Sequence, residues 1–235
     1  MVKKKNIAII LARGGSKRIP RKNIIMFKKK PLIAWTIEAA IQSKIFDKVI
    51  VSTDSVKIKE ISLKFGAEVP FLRKKFADSK SISSLATLNT LEQCIIKWNT
   101  NFENVFQLMP TCPLRGKNVI ISANKYFKKS KTNSLITCAN FAWQNPYWSV
   151  ELKKNNVGSQ IFPEMFTQRS QDQKTLYGVS GAIWISKTKT LRKYKTFYSP
   201  KHRYFPIDWD SALDIDTYDD LKLANSIFQK KLNNK

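Results

Sequence analysis

Two short segments, far apart in the chain, carry residues suited to phosphate chemistry. Arg13 to Asn23 (RGGSKRIPRKN) holds five basic side chains, one hydroxyl and two glycines within eleven residues. A triphosphate needs cations in number and backbone N–H groups that approach closely, which glycine allows. The spacing matches neither G-x-x-x-x-G-K-[ST] nor G-x-G-x-x-G. On its own the segment is either a phosphate cradle or a basic surface loop, and its place directly after an apolar run favours the cradle. The second segment is Asp214-Ile215-Asp216. In extended backbone, residues i and i+2 point the same way, so both carboxylates face one side while Ile215 faces the other. Two carboxylates together with phosphate oxygens are a usual Mg²⁺ environment. The same residues equally allow a turn in which Asp216 or Thr217 caps a helix beginning near Tyr218.

The elements that must position these segments alternate. Asn6 to Ala12 is a short continuous apolar run, as in a strand covered on both faces. Residues 31–43 have helical spacing behind Pro31, residues 47–52 read as a strand, and 56–65 as a helix closed by Gly66. A short strand over 67–72, a helix over 85–99, a strand over 104–109, a helix over 119–129 and a strand over 134–138 follow. Such alternation predicts a parallel α/β sheet with helices on both faces. Ligands then sit at the carboxyl ends of the strands, where loops 13–23, 53–54, 73–84 and 110–115 converge. The rhythm breaks after residue 140, and 140–180 is an irregular excursion before a strand over 181–186 and a final helix over 221–232. Trp143, Tyr147, Trp148, Phe197 and Tyr198 could line a pocket or a subunit contact, with core packing the plainer expectation.

The 235 residues fit one domain, 1–235, and 43% hydrophobic residues are enough for a sizeable core. No apolar run approaches the roughly 18 residues of a membrane span, and the basic start Met1 to Lys5 leads into a strand instead of a cleavage site. A cytoplasmic protein without a membrane partner is expected. Three dispersed cysteines and a single histidine give no zinc pattern and no disulfide framework, so the thiols are expected reduced and mostly buried. The net charge of +25 raises the possibility of a nucleic-acid partner. The lysines are scattered through amphipathic segments, however, which points to a solvated surface, one that still attracts anionic substrates.

Taken in order, ARGGSKRIPRKN, Val51 to Asp54, Gly66 to Arg73, Pro110 to Arg115 (PTCPLR), Arg169-Ser170-Gln171, Gly181 to Ile185 and Asp214 to Thr217 resemble the acylneuraminate cytidylyltransferase family over nearly the whole chain. That family comprises the CMP-sialic acid synthetases and their pseudaminic and legionaminic acid counterparts. The resemblance implies a Rossmann-like, mostly parallel sheet of the nucleotide-diphospho-sugar transferase type. It also implies CMP transfer from CTP to a nine-carbon acidic sugar, with Mg²⁺ as cofactor and a homodimer built through 140–180.

Carried over residue by residue, it assigns Leu11, Ala12, Arg13, Gly15, Ser16, Lys17, Lys22 and Asn23 to CTP, with Arg73 reading the cytosine. Arg13, Lys17, Lys22 and Asp216 serve catalysis, Asp214 and Asp216 the metal, and Arg169 the sugar carboxylate with Gln171 for hydroxyls. Met109 stands where sialic acid synthetases have a sugar-contacting Gln, and Lys29 where the family has a Gly before Lys-Pro. A nucleotidyltransferase for another sugar acid or base, a basic nucleic-acid-binding module and an inactive relative are the competing readings. The ordered motifs argue against the nucleic-acid module, and the retained basic loop and DID pair against the inactive relative.

Overall fold

A computed structural model describes residues 5–78, 81–141 and 144–233; Met1 to Lys4 and Trp143 therefore lie outside the described residues. β1 (Asn6–Leu11), β4 (Lys48–Ser52), β5 (Asn104–Leu108), β6 (Ser134–Asn140), β9 (Tyr177–Lys187) and β10 (Arg203–Pro206) form one sheet in the order β10-β6-β9-β5-β1-β4. β1 pairs parallel with β4 and β5, β10 parallel with β6, and β9 antiparallel with both β5 and β6.

The alternation along β1 explains why this strand sits inside the sheet. Ala8 and Ile10 pack in one cluster with Ile33 and Ile37 of α1 (Leu32–Gln42), Ile58 of α2 (Val56–Lys64) and Ile120 of α4 (Lys117–Ser130). Ile7 and Ile9 pack in another with Leu91 and Cys94 of α3 (Ser83–Trp98) and Leu191 of α5 (Thr188–Tyr194). Successive side chains of a strand point to opposite faces, so a continuous apolar run requires a core on each. All four β1 residues are fully buried.

Three expectations change in detail. Residues 67–72 make only two isolated bridges, Ile50 to Glu68 and Thr53 to Leu72; Pro70 has no N–H to give a ladder. The strand after the excursion starts earlier, at Tyr177, and runs antiparallel, since no crossover helix separates it from β6. Lys29, which stands where the family has glycine, is not the turn's positive-φ residue; that is Lys28 (φ 57°), between β2 (Met26–Phe27) and β3 (Lys30–Pro31). The hairpin therefore needs nothing unusual of the position where the family has glycine.

Within the excursion, β7 (Val150–Leu152) and β8 (Gly158–Gln160) pair as a hairpin whose residues are all exposed. Tyr147 is half-buried and Trp148 exposed, whereas Phe197 is core and meets Trp184 edge-on; Tyr198 is exposed on its outer side. All three cysteines are free and buried, and burial pushes the Cys94 thiol up to about 12.

Gly66 closes α2 at φ +88°, and a Cβ there would meet the Ile41 Cδ1 at 3.1 Å. The left-handed conformation costs an L side chain roughly 1–2 kcal/mol. Gly66→Ala is expected to lower stability by at least that amount, read as a shift in the urea midpoint at unchanged m-value.

Candidate active site

The phosphate-suited segments, distant in sequence, are joined through a shared apolar cluster. Ile19 of the basic loop and Ile215 of the DID segment are both fully buried in a third cluster, with Phe27, Leu32, Leu114 and Ala224. Their neighbours consequently face each other across a cleft. Lys22 Nζ donates to Asp216 Oδ1 at 2.6 Å, and Arg18 Nη2 lies 2.7 Å from the same oxygen. The helix α7 (Tyr218–Asn233) starts immediately after. Thr217 N and Asp216 N donate to Asp220 Oδ2, and Asp220 N donates back to Thr217 Oγ1. This reciprocal cap makes Thr217 the capping residue and leaves Asp216 free to face the loop.

The cleft, of about 430 Å³, lies at the carboxyl ends of β1 and β5. Leu11, Arg13, Ser16, Lys17, Lys22, Asn23, Arg73, Met109, Asp214 and Asp216 all line it. Asn23 Nδ2 donates to the Arg13 carbonyl at 2.9 Å, tying the two ends of the loop. Ala12 does not reach the cleft; it is buried beneath, its N–H on the Ser52 carbonyl. Gly15 lies in open space beside the cleft without lining it. Arg169 and Gln171 are outside it too: both are exposed on the excursion, and Arg169 Nε pairs with Asp172 at 2.8 Å.

Loops 13–23, 53–54, 73–84 and 110–115 converge here as expected, and several of their residues have roles that the sequence did not single out. Asp54 Oδ1 accepts the Gly14 N–H at 2.7 Å and so fixes the start of the basic loop. Arg18 had been counted only as loop charge. Ser81 and Ser83 bring the first turn of α3 to the cleft wall; serines before an apolar helical run were the available signal. Thr111 also lines the cleft, and its carbonyl accepts the Ile215 N–H at 2.9 Å.

Two groups are held in unusual electrostatic states. Arg73 is 5% exposed; Nη1 donates to the Ser52 carbonyl at 3.3 Å, while its Nε has no partner. Burial lowers its pKa, Asp54 opposes that and Arg13 adds to it. Burial raises the Asp214 pKa, a hydrogen bond from Thr111 works against this, and Asp216 adds to it. The Asp214 Oδ1 is buried and unpartnered. A buried carboxylate oxygen beside a second carboxylate is the donor set a cation completes. Among the described residues no cluster of three or more His, Cys, Asp or Glu side chains exists, so a cation here would draw its remaining ligands from substrate and water.

The family model for cytidylyltransferases matches residues 7–231. This chain belongs to the cytidylyltransferase family. It is 35% identical over 227 residues to a pseudaminic acid cytidylyltransferase of Campylobacter jejuni, covering 96% of this chain and 97% of that protein. It is 30% identical over 226 residues to a CMP-N,N'-diacetyllegionaminic acid synthase of Legionella pneumophila, covering 95% and 96%. Among solved structures, a CMP:2-keto-3-deoxy-manno-octonic acid synthetase complexed with CTP superimposes with a TM-score of 0.71 at 15% identity, over 97% of this chain and all of that one. As a cytidylyltransferase the protein is a nucleotidyltransferase, and the cleft is where the basic loop and the DID pair meet. Among the described residues no helix is long and apolar enough to cross a membrane.

Removing the Asp220 cap is expected to loosen Asp216 as well as α7. Asp220→Ala should cost about 1 kcal/mol of stability and lower turnover further than that loss explains. Urea denaturation together with pyrophosphate release checks both.

Proposed function

We propose that this cytidylyltransferase transfers CMP from CTP to the anomeric hydroxyl of a nine-carbon acidic sugar, a nonulosonic acid, and releases pyrophosphate. The observation carrying this reading is the Lys22–Asp216 pair, formed where a polycationic loop and two carboxylates share one cleft. The pseudaminic and legionaminic acid enzymes named above, matched over nearly their full length, support the choice of acceptor.

In this reading Arg13, Ser16, Lys17, Lys22 and Asn23 receive the triphosphate and ribose. The cytosine, with acceptors at O2 and N3, takes donors from Arg73, whose buried Nε and cleft-lining position suit it. Asp214 and Asp216 would hold Mg²⁺, since paired carboxylates beside phosphates suit that ion. When bound, the ion neutralises phosphate charge and lowers the pKa of the attacking hydroxyl. The acceptor oxygen forms a bond to the α-phosphorus as the α–β anhydride bond breaks, and pyrophosphate carries away the electron pair. The hydroxyl proton passes to solvent. Lys17, Lys22 and Arg13 balance the charge on the departing oxygens, so catalysis is positioning plus electrostatics. In this reading Lys22 gives up its Asp216 partner for a phosphate oxygen when the triphosphate binds.

The proposed contacts of Arg169 with the sugar carboxylate and of Gln171 with hydroxyls require the excursion of this chain or of a second copy to close over the cleft. Val150, Leu152, Val157 and Ile161 are exposed together on and beside the β7–β8 hairpin, which favours a homodimer covered there. The cytoplasm, where CTP is made, is the proposed location. The +25 charge is read as a solvated surface that draws in anionic substrates, with no nucleic-acid partner.

The test is pyrophosphate release from CTP and Mg²⁺ against pseudaminic, legionaminic and N-acetylneuraminic acids and an eight-carbon 3-deoxy sugar acid. Turnover with a nine-carbon acid is expected, reduced by at least about 100-fold in Asp216→Ala. Preference for the eight-carbon acid, or full activity of the variant, would overturn the reading.

A further inference from the structure

One buried cation takes no part in the chemistry just described. Arg115, the last residue of the PTCPLR segment, is 0% exposed, and no carboxylate among the described residues forms a salt bridge with it. Its Nη1 donates to the Ala182 carbonyl of β9 at 2.6 Å. Its Nη2 donates to Thr36 Oγ1 of α1 at 2.8 Å. The Thr36 hydroxyl in turn donates to the Met109 carbonyl at 3.3 Å, directly beyond β5. Arg115 Nε is left without a partner. Removing a guanidinium from water without a counter-ion is expensive, so one carbonyl and one hydroxyl reached through a rigid fork are a poor return for stability alone.

What the fork holds together is one wall of the cleft. Met109, Pro110 and Thr111 line it beside Asp214. Thr111 bonds to Asp214 through its side chain and to Ile215 N through its carbonyl. On β9, Ala182 follows Gly181, and a Cβ on Gly181 would lie 2.9 Å from Met109 Cγ and 3.7 Å from Asp214 Oδ2. That wall and β9 therefore touch with no room for a side chain between them. The β6–β9 register shifts here, with Thr137 Oγ1 accepting the Ile183 N–H at 3.0 Å in place of a backbone carbonyl. An irregular ladder cannot by itself fix the depth of Met109. The Arg115 fork can, because it spans α1, the β5 exit and β9.

We infer that Arg115, acting through Thr36, is a positioning residue for the acceptor-sugar wall made by Met109, Pro110 and Thr111. This rests on the function proposed above, in which the acceptor hydroxyl must lie next to the α-phosphate at Asp214 and Asp216. The nucleotide end is held separately: Arg73 is fixed by Ser52 and Thr53, neither of which Arg115 touches among its hydrogen bonds. Lysine is a poor replacement for Arg115, since it lacks the planar fork whose two nitrogens reach Ala182 and Thr36.

The experiment compares wild type with Arg115→Lys, Thr36→Val and Thr36→Ser. It measures Tm, binding of metal-free CTP by calorimetry, and KM and kcat with the sugar that wild type accepts. Arg115→Lys and Thr36→Val are expected to bind metal-free CTP within about twofold of wild type while kcat/KM for the sugar falls roughly tenfold or more. Thr36→Ser, which keeps the hydroxyl, is expected to retain wild-type kinetics. If Arg115→Lys does not fold, Thr36→Val decides alone. Wild-type sugar kinetics in Thr36→Val, or an equal loss of CTP affinity in the folded variants, would overturn the inference. A wild-type enzyme that turns over none of the sugars would instead overturn the functional reading, and the inference with it.

Discussion

Everything chemical in this protein depends on one small apolar cluster that holds two isoleucines from distant segments. Ile19 and Ile215 are fully buried in one small cluster with Phe27, Leu32, Leu114 and Ala224. Burying side chains of this size is worth about 1.5–3 kcal/mol each, far more than an exposed ion pair. The Lys22–Asp216 contact is thus a consequence of the fold and not its cause. Hydrophobic burial brings a polycationic loop and a pair of carboxylates together, and charge then decides what that cleft can bind.

The arrangement separates the two costs of handling a triphosphate. The loop cations and Asp216 satisfy one another at the cleft surface, with the Arg18 side chain 64%, Asp216 37% and Lys22 15% exposed. Asp214, by contrast, is held with a buried oxygen unpartnered, and burial raises its pKa. One carboxylate therefore waits in an ion pair and the other in a partly desolvated pocket. The buried Arg115 belongs to the same logic of preorganisation, since it fixes backbone instead of meeting substrate.

Much of this was legible in the sequence because it lies in local patterns. The continuous apolar β1 run, the i, i+2 carboxylates with Ile215 between, and the glycine-containing basic loop each follow from nearest-neighbour chemistry, and each took the expected place. The antiparallel β9 was not legible, because strand direction depends on what connects it and the excursion has no periodic signal. Nor was the weak pairing of residues 67–72, although Pro70 carried a hint. Loops 53–54 and 110–115 were placed at the site, but the roles of Asp54 and Thr111 were not legible, because holding other backbone is not marked by single-residue chemistry. Arg169 and Gln171 were assigned by resemblance, and they sit on an exposed segment away from the cleft.

The most direct measurement is calorimetric titration of CTP with and without Mg²⁺ in wild type and Asp216→Asn. If the DID pair and the basic loop form one metal–triphosphate site, Mg²⁺ tightens CTP binding to wild type and has little effect on the variant, whose metal-free binding is retained or improved because Lys22 and Arg18 are released. Equal tightening by Mg²⁺ in both proteins would contradict the account, since the ion would then act without Asp216.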